Sequence, residues 1–288
     1  MATLREIRKK LKSIDNIKKI TQAMEVVAAS RLRRAQAQSE KAKPYAQNLK
    51  EILERLVLSA RDLSHPLLSV RKEIKKVALV VVAADRGLCG GHNNSIFKAA
   101  HDFLQKYPMD KIEVIPIGRK AIEHFQIRKW QVQSPIKDWG GKITFNQIKA
   151  FADGLMQRFI TGDLDEVWLV YTHFKSVLTR NVVLEKILNI VCPKIDPNSP
   201  PYDYIFEPKL SAIFAEILPR YCMTRIQLAL NESYVSELAA RILSMRAATK
   251  NAEELLESLT LVRNKVRQTG ITREMIEIAS GAESLKNG

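Results

Sequence analysis

The 288-residue chain has no glycine before Gly87 and no proline after Pro219. Both residues interrupt helices, so their absence leaves each end of the chain free to form a long one. The three cysteines, Cys89, Cys192 and Cys222, lie far apart with no CxxC spacing, which argues against a disulfide scaffold or a zinc site. Long apolar runs are also missing. The longest, Val77 to Ala84, is less than half a bilayer span. The opening MATLREIRKKLK runs into charge without an apolar segment, so no secretory signal is expected. Acidic residues are few: 31 Asp+Glu stand against 46 Lys+Arg, a net charge of +15. Such a chain is expected to meet an acidic partner, whether nucleic acid, anionic lipid or protein.

What is present points to a globular protein, with 46% hydrophobic and 27% charged residues. Near the N-terminus, Leu4, Ile7, Leu11 and Ile14 step by three and four. Ile17, Ile20, Met24 and Val27 resume that spacing after a slip of one residue, which predicts a coiled-coil seam with a discontinuity. The C-terminal register is cleaner. Positions 235, 238, 242, 245, 249, 252, 256, 259, 263 and 266 alternate steps of three and four, and eight of the ten are apolar. A lone helix cannot bury such a stripe, so residues near 1–55 and 215–285 are expected to pair.

The middle of the chain reads as strand alternating with helix. Val77–Ala84 is a valine-rich run of the kind covered on both faces, followed by shorter runs at Ile112–Ile117 and Val167–Thr172, while Val182–Ile190 alternates less cleanly. Helical spacing occupies Asn94–Tyr107 and Phe145–Ile160, which favours a mostly parallel sheet. CPKIDPNSPPYDYIFEP carries five prolines in 17 residues and reads as a linker. The expected fold class is α/β: a long antiparallel coiled coil of the terminal helices plus a Rossmann-like α/β domain. The boundaries are 1–60 and 209–288 for the coiled coil, 70–195 for the α/β domain and 193–208 for the linker.

AADRGLCGGHNN, residues 83–94, follows a strand and opens a helix, where phosphate-binding loops sit. Gly87, Gly90 and Gly91 match neither GxGxxG nor GxxxxGK[ST], so a structural turn is the expected reading over nucleotide binding. Cys89 and His92 invite a thiolate–imidazole pair or metal ligands, but the five histidines never cluster in sequence and no metal site is expected. Residues 1–50 hold 13 Lys+Arg against 4 Asp+Glu. RKKLK and RLRR there suit phosphate contacts, yet Tyr45 is the segment's single aromatic, leaving bases nothing else to stack on. A solvated helix face and a membrane-surface helix remain as other readings of this charge, the latter weakened by Glu25 and Glu40.

Four separated stretches resemble the gamma subunits of F-type ATP synthases. LREIRKKLKSIDNIKKITQAMEVVAASRLRRAQ looks like the family's opening helix, and AADRGLCGGHNN resembles its signature loop through Asp85, Arg86, Gly87, Cys89, Gly90 and Gly91. YDYIFEP is similar to its linker signature, and the run from SELAARILSMRAATKNAEELL onward to its C-terminal helix. Ile17 and Lys18 replace a usual Thr-Gln pair, His92 stands where Phe or Leu is common, and Leu238 replaces His or Gln.

The resemblance implies a central-stalk rotor that is itself no enzyme and carries no cofactor. Its paired terminal helices would enter a ring of alpha and beta subunits. Its α/β domain would sit beside epsilon and on the c-ring, with nucleotide chemistry on the beta subunits and no nucleic acid partner. Met24, Arg241, Arg267, Gln268, Thr272 and Glu274 fall where the family meets the ring, and Tyr204 and Glu207 where it nears the c-ring and epsilon. The match begins near residue 4 and leaves nothing for a transit peptide, so the expected setting is the cytoplasmic face of a bacterial plasma membrane, peripheral to it.

Overall fold

The computed structural model describes residues 3–59, 65–71, 73–140, 143–190 and 206–286. The described elements are α1 (Leu4–Ser59), a short 3-10 turn (Pro66–Leu68), β1 (Val77–Val82), α2 (His92–Leu104), β2 (Ile112–Ile117), α3 (Arg119–Ile127), α4 (Phe145–Ile160), β3 (Glu166–Phe174), β4 (Arg180–Leu188) and α5 (Leu210–Lys286). They fall into two compact units, one of residues 28–241 and one of residues 1–27 with 242–288.

The larger unit is built on a four-stranded sheet in the order β2-β1-β3-β4. β1 pairs in parallel with β2 and β3, while β4 returns antiparallel along β3. Every residue of β1 is buried, as its uninterrupted apolar run requires. The strand's two-residue period divides that run between two cores. Ala78, Val80 and Val82 join Ile148, Ala152 and Phe159 of α4 and Phe214, Leu218 and Ile226 of α5. Val77, Leu79 and Val81 join Ile96, Ala100 and Phe103 of α2 and Ala121 and Phe125 of α3. Helices therefore cover both faces, which is the Rossmann-like arrangement expected. α4 starts with Thr144 accepting from the Gln147 N–H while the Gln147 side chain accepts from the Thr144 N–H. The nine-residue helix α3, which follows β2 directly, has no counterpart in the sequence reading.

The smaller unit is an antiparallel helix pair. Its first turn carries a reciprocal cap between Thr3 and Glu6: the Glu6 carboxylate accepts from the Thr3 N–H at 3.0 Å and the Thr3 hydroxyl from the Glu6 N–H at 3.3 Å. Three cross-pairs mark the stagger. Lys18 Nζ lies 2.9 Å from Glu253, the Thr21 and Thr249 hydroxyls are 2.8 Å apart, and Arg246 Nη2 lies 2.9 Å from Glu25. Paired residue numbers add to about 270, so Leu4 falls opposite Val266 and α5 continues beyond it. From Arg267 to Ala282 every residue is exposed, including Ile271, Met275, Ile276 and Ile278.

One expectation is corrected. The α1 seam has no discontinuity: it runs through Leu4, Ile7, Leu11, Ile14, Lys18, Thr21 and Glu25 in unbroken steps of three and four, all of them buried or half-buried. Ile17 and Ile20 stand 50% and 58% exposed and Val27 50%, because polar residues with partners on α5 occupy the seam there. Both long helices run through a proline, as the expected bounds of 1–60 and 209–288 require. Pro44 lies inside α1 and Pro219 inside α5. Each removes one backbone bond, to the carbonyl of Glu40 and of Ala215, and both of those residues are exposed, where solvent can satisfy a freed acceptor.

Candidate functional site

The glycine loop after β1 is held from within. Asp85 lies at its start, and its carboxylate accepts three backbone N–H groups, from Arg119 at 3.1 Å, Asp138 at 3.0 Å and Gly140 at 2.9 Å. These are donors of the kind a phosphate would use at a helix N-terminus, and a fixed carboxylate already occupies them. The buried Trp139 indole donates to the Ala83 carbonyl at 3.0 Å, and Gly118 lies against the same carbonyl, where a Cβ would stand 2.1 Å from the oxygen. Gly90 takes φ +57, a conformation that glycine adopts without cost, and Leu88 takes φ +64 beside it with its side chain exposed.

Cys89 points inward, packed with Ala84 and Ala240. The Asn93 side chain ties the turn together, donating to Cys89 Sγ at 3.5 Å and accepting the Ala84 N–H at 3.1 Å. Burial and the nearby Glu237 charge push the Cys89 thiol up, which keeps it protonated. His92 is only 8% exposed, and burial first, then the charges of Arg180 and Arg241, lower its pKa to about 4. A neutral thiol and a neutral imidazole make no nucleophilic pair. Among the described residues no group of three or more His, Cys, Asp or Glu is placed to hold a metal ion.

Arg241 anchors α5 to this loop. Its guanidinium donates to the Gly87 carbonyl at 3.4 Å and pairs with the buried Glu237 at 2.7 Å. Burial raises the Glu237 pKa while Arg241 draws it back down. The other sequence-derived residues lie elsewhere. Met24 is half-buried on α1, between Thr21 and Glu25 of the polar seam. Arg267, Gln268, Thr272 and Glu274 are exposed on the unpaired end of α5, where the Thr272 hydroxyl donates to the Gln268 carbonyl at 3.0 Å. At about 100° per residue, Gln268 and Thr272 share one face, and Arg267 and Glu274 another. Glu207 is exposed before α5, while Tyr204 and most of the 193–208 segment lie outside the described residues.

The sequence reading missed Lys18, Thr21 and Glu25. The signal was available, since their spacing continues Ile14 by four, three and four, but an apolar criterion prefers Ile17 and Ile20. Among the described residues no helix is long and apolar enough to cross a membrane.

These features define an α/β protein with an antiparallel helix pair. A family profile described as ATP synthase matches residues 3–285. The chain is 54% identical over 288 residues to the ATP synthase gamma chain of Protochlamydia amoebophila, covering 99% of this chain and all of that one. It is 38% identical to the gamma chain of Desulforamulus reducens, again over 99% of this chain and all of the other. Its fold is similar to a chain of the OSCP/F1/c-ring assembly of Euglena gracilis mitochondrial ATP synthase, with a TM-score of 0.69 at 17% identity, over 98% of this chain and 94% of that one. A chain of the rotor of the same enzyme gives 0.65 at 16% identity, over 93% and 98%. The chain belongs to the ATP synthase gamma chain family.

Proposed function

We infer that this chain is the central-stalk rotor subunit of an F-type ATP synthase, carrying proton-driven rotation of the c-ring to catalytic sites on the beta subunits. The observation that carries this reading is the end of α5. A family member over its full length presents an unpaired helical stretch of about 30 Å from Arg267 to Lys286, and the polar and apolar side chains exposed along it as far as Ala282 suit a surrounding sleeve. The functional division is a shaft of 1–60 and 209–288, an α/β domain of 70–195 and a linker of 193–208. The partners are alpha, beta and epsilon subunits and the c-ring, and the setting is the cytoplasmic face of a bacterial plasma membrane.

Met24, Arg267, Gln268, Thr272 and Glu274 are the proposed ring contacts. Arg241 belongs with them through its hold on the signature loop, and Glu207 and Tyr204 face the c-ring and epsilon side. Polar contacts suit a turning part. A charge-assisted hydrogen bond contributes roughly 1.5–3 kcal/mol, small enough to be exchanged at each step and large enough to bias which site is open. Arg267→Ala with Gln268→Ala weakens coupling and leaves the α/β domain folded. A reversible disulfide from Gln268→Cys to a facing beta loop stops steady-state ATP turnover, and reduction restores it. Full turnover with the crosslink complete refutes the rotor reading.

A further inference from the structure

The histidines are scattered in the sequence, and the fold brings two of them together. His101 on α2 and His124 on α3 stand with their Nε2 atoms 2.9 Å apart, across the joint between the two helices that cover one face of the sheet. Two imidazoles at that distance form a hydrogen bond only if one donates and the other accepts. The third member of the joint decides which. Arg128 Nη1 lies 3.2 Å from His124 Nδ1 and donates to the His124 carbonyl at 3.2 Å. A guanidinium only donates, so His124 Nδ1 is an acceptor and carries no proton. The neutral His124 ring then holds its proton on Nε2 and donates it to His101 Nε2. His101 keeps its own proton on Nδ1.

This order leaves no place for a further proton. On His101 it would go to Nε2 and face the Nε2–H of His124. On His124 it would go to Nδ1 and face Arg128. Either way one contact of the joint breaks. Two imidazoles without the arginine behave differently, because an imidazolium donates to a neutral partner and the pair holds one extra proton. Arg128 forbids that state. The surroundings act in the same sense. Phe97 stacks on His124 with ring centroids 3.9 Å apart, and Phe125 and Trp130 flank His101. The charges that act on the pair are Arg128 and Asp102, while Glu123 is engaged by Lys120 at 2.6 Å. Burial first, then Arg128, lowers both pKa values, that of His124 to about 4, and Asp102 draws His101 partly back.

We propose that His101, His124 and Arg128 form an acid-sensitive catch between α2 and α3, closed while both rings are neutral and opened by one proton. Arg128 is a positioning residue: it sets the direction of the hydrogen bonds and touches nothing beyond them in this role. The catch bears on the signature loop, because α3 holds that loop through the Arg119 N–H on Asp85 and the Lys120 N–H on the Ala84 carbonyl, both at 3.1 Å. An opened α3 takes up these protons more readily than the closed one. The catch is therefore whole above pH 6.5 and weakens as the pH falls below it. None of this depends on the rotor reading.

The test uses the purified full chain. Long-range proton–nitrogen spectra of histidine-labelled protein at pH 7 locate the ring protons, expected on Nε2 of His124 and Nδ1 of His101. Either ring found as the other tautomer overturns the proposal. Amide hydrogen exchange, corrected for the intrinsic rate, then follows the opening of α3. Between pH 7 and pH 5 the wild-type opening constant should rise roughly tenfold or more, because the opened His124 ionises and the closed one does not. Arg128→Gln offers a side chain that accepts as well as donates, so His124 can charge on Nδ1 and still donate to His101. At pH 5 this variant should show one charged and one neutral ring with α3 still closed. Arg128→Lys keeps a donor-only cation and should open as the wild type does. A wild-type α3 whose opening ignores pH, or an Arg128→Gln variant that opens as steeply as wild type, refutes the catch. His101→Gln with His124→Gln places two amides that pair without titrating, and α3 should then open equally at both pH values. A rise as large as that of wild type in this double variant would assign the effect to other groups and overturn the proposal.

Discussion

His92 offers the sharpest test of how the α/β domain is assembled. The imidazole opens α2, is 8% exposed, and its Nε2 meets no hydrogen-bond partner among the described residues. Burial, followed by Arg180 and Arg241, lowers its pKa from 6.5 to about 4. The unfolded chain thus binds a proton below pH 6.5 that the folded chain refuses until about pH 4. Stability from this group is whole above pH 6.5 and falls as the pH drops through that window. Every pH unit that separates the folded from the unfolded pKa corresponds to about 1.4 kcal/mol, so the loss between pH 7 and pH 4.5 is about 2 kcal/mol. His92→Phe removes both the titration and the orphaned nitrogen. An unsatisfied buried polar atom costs about 1–3 kcal/mol and the larger ring returns part of that as strain, so a gain of about 1 kcal/mol at pH 7 is expected. Urea unfolding of the purified chain at several pH values, followed by circular dichroism, measures both effects. The residual pH dependence of the variant should be smaller by about 2 kcal/mol over that range. A variant with the wild-type pH dependence, or one less stable at pH 7 by more than about 1 kcal/mol, refutes the reasoning.

Three further substitutions probe the frame around the signature loop. Asp85→Ala removes the shared acceptor of the Arg119, Asp138 and Gly140 N–H groups, of which the first two are solvent-exposed, and should cost about 1–2 kcal/mol in thermal or urea unfolding while Asp85→Asn costs less. Glu113 is fully buried on β2 and held by Arg158 through two bonds of 2.6 and 3.0 Å, so Arg158→Leu leaves a buried carboxylate facing Lys76 at 3.5 Å among the described residues and should destabilise by about 3 kcal/mol. Gly118→Ala puts a Cβ against the Ala83 carbonyl at φ +100, and loss of folded protein in expression trials is expected. Stability of either Asp85→Ala or Arg158→Leu equal to wild type would sink the corresponding account.

Much of the architecture was legible because it depends on local rules. The lack of glycine before Gly87 and of proline after Pro219 pointed to a long helix at each end, and the ten-position C-terminal stripe contains Val235, Leu238, Ile242, Met245 and Ala252, all buried. The valine run of β1 announced a strand covered twice. Less legible were features whose meaning depends on a distant neighbour. Asp85 read as part of a signature and proved to be an internal anchor. The short α3 was invisible, since nine residues carry too little periodicity.

Family membership, the strand–helix alternation and the pairing of the two ends were determined by the sequence itself, because each rests on spacing along one segment. The tertiary structure alone decided that Lys18, Thr21 and Glu25 face the partner helix while Ile17 and Ile20 face water. A helix of alternating hydrophobic and charged residues offers several candidate seams. The choice among them is made by what stands opposite, and Glu253, Thr249 and Arg246 are more than 200 residues away in the chain.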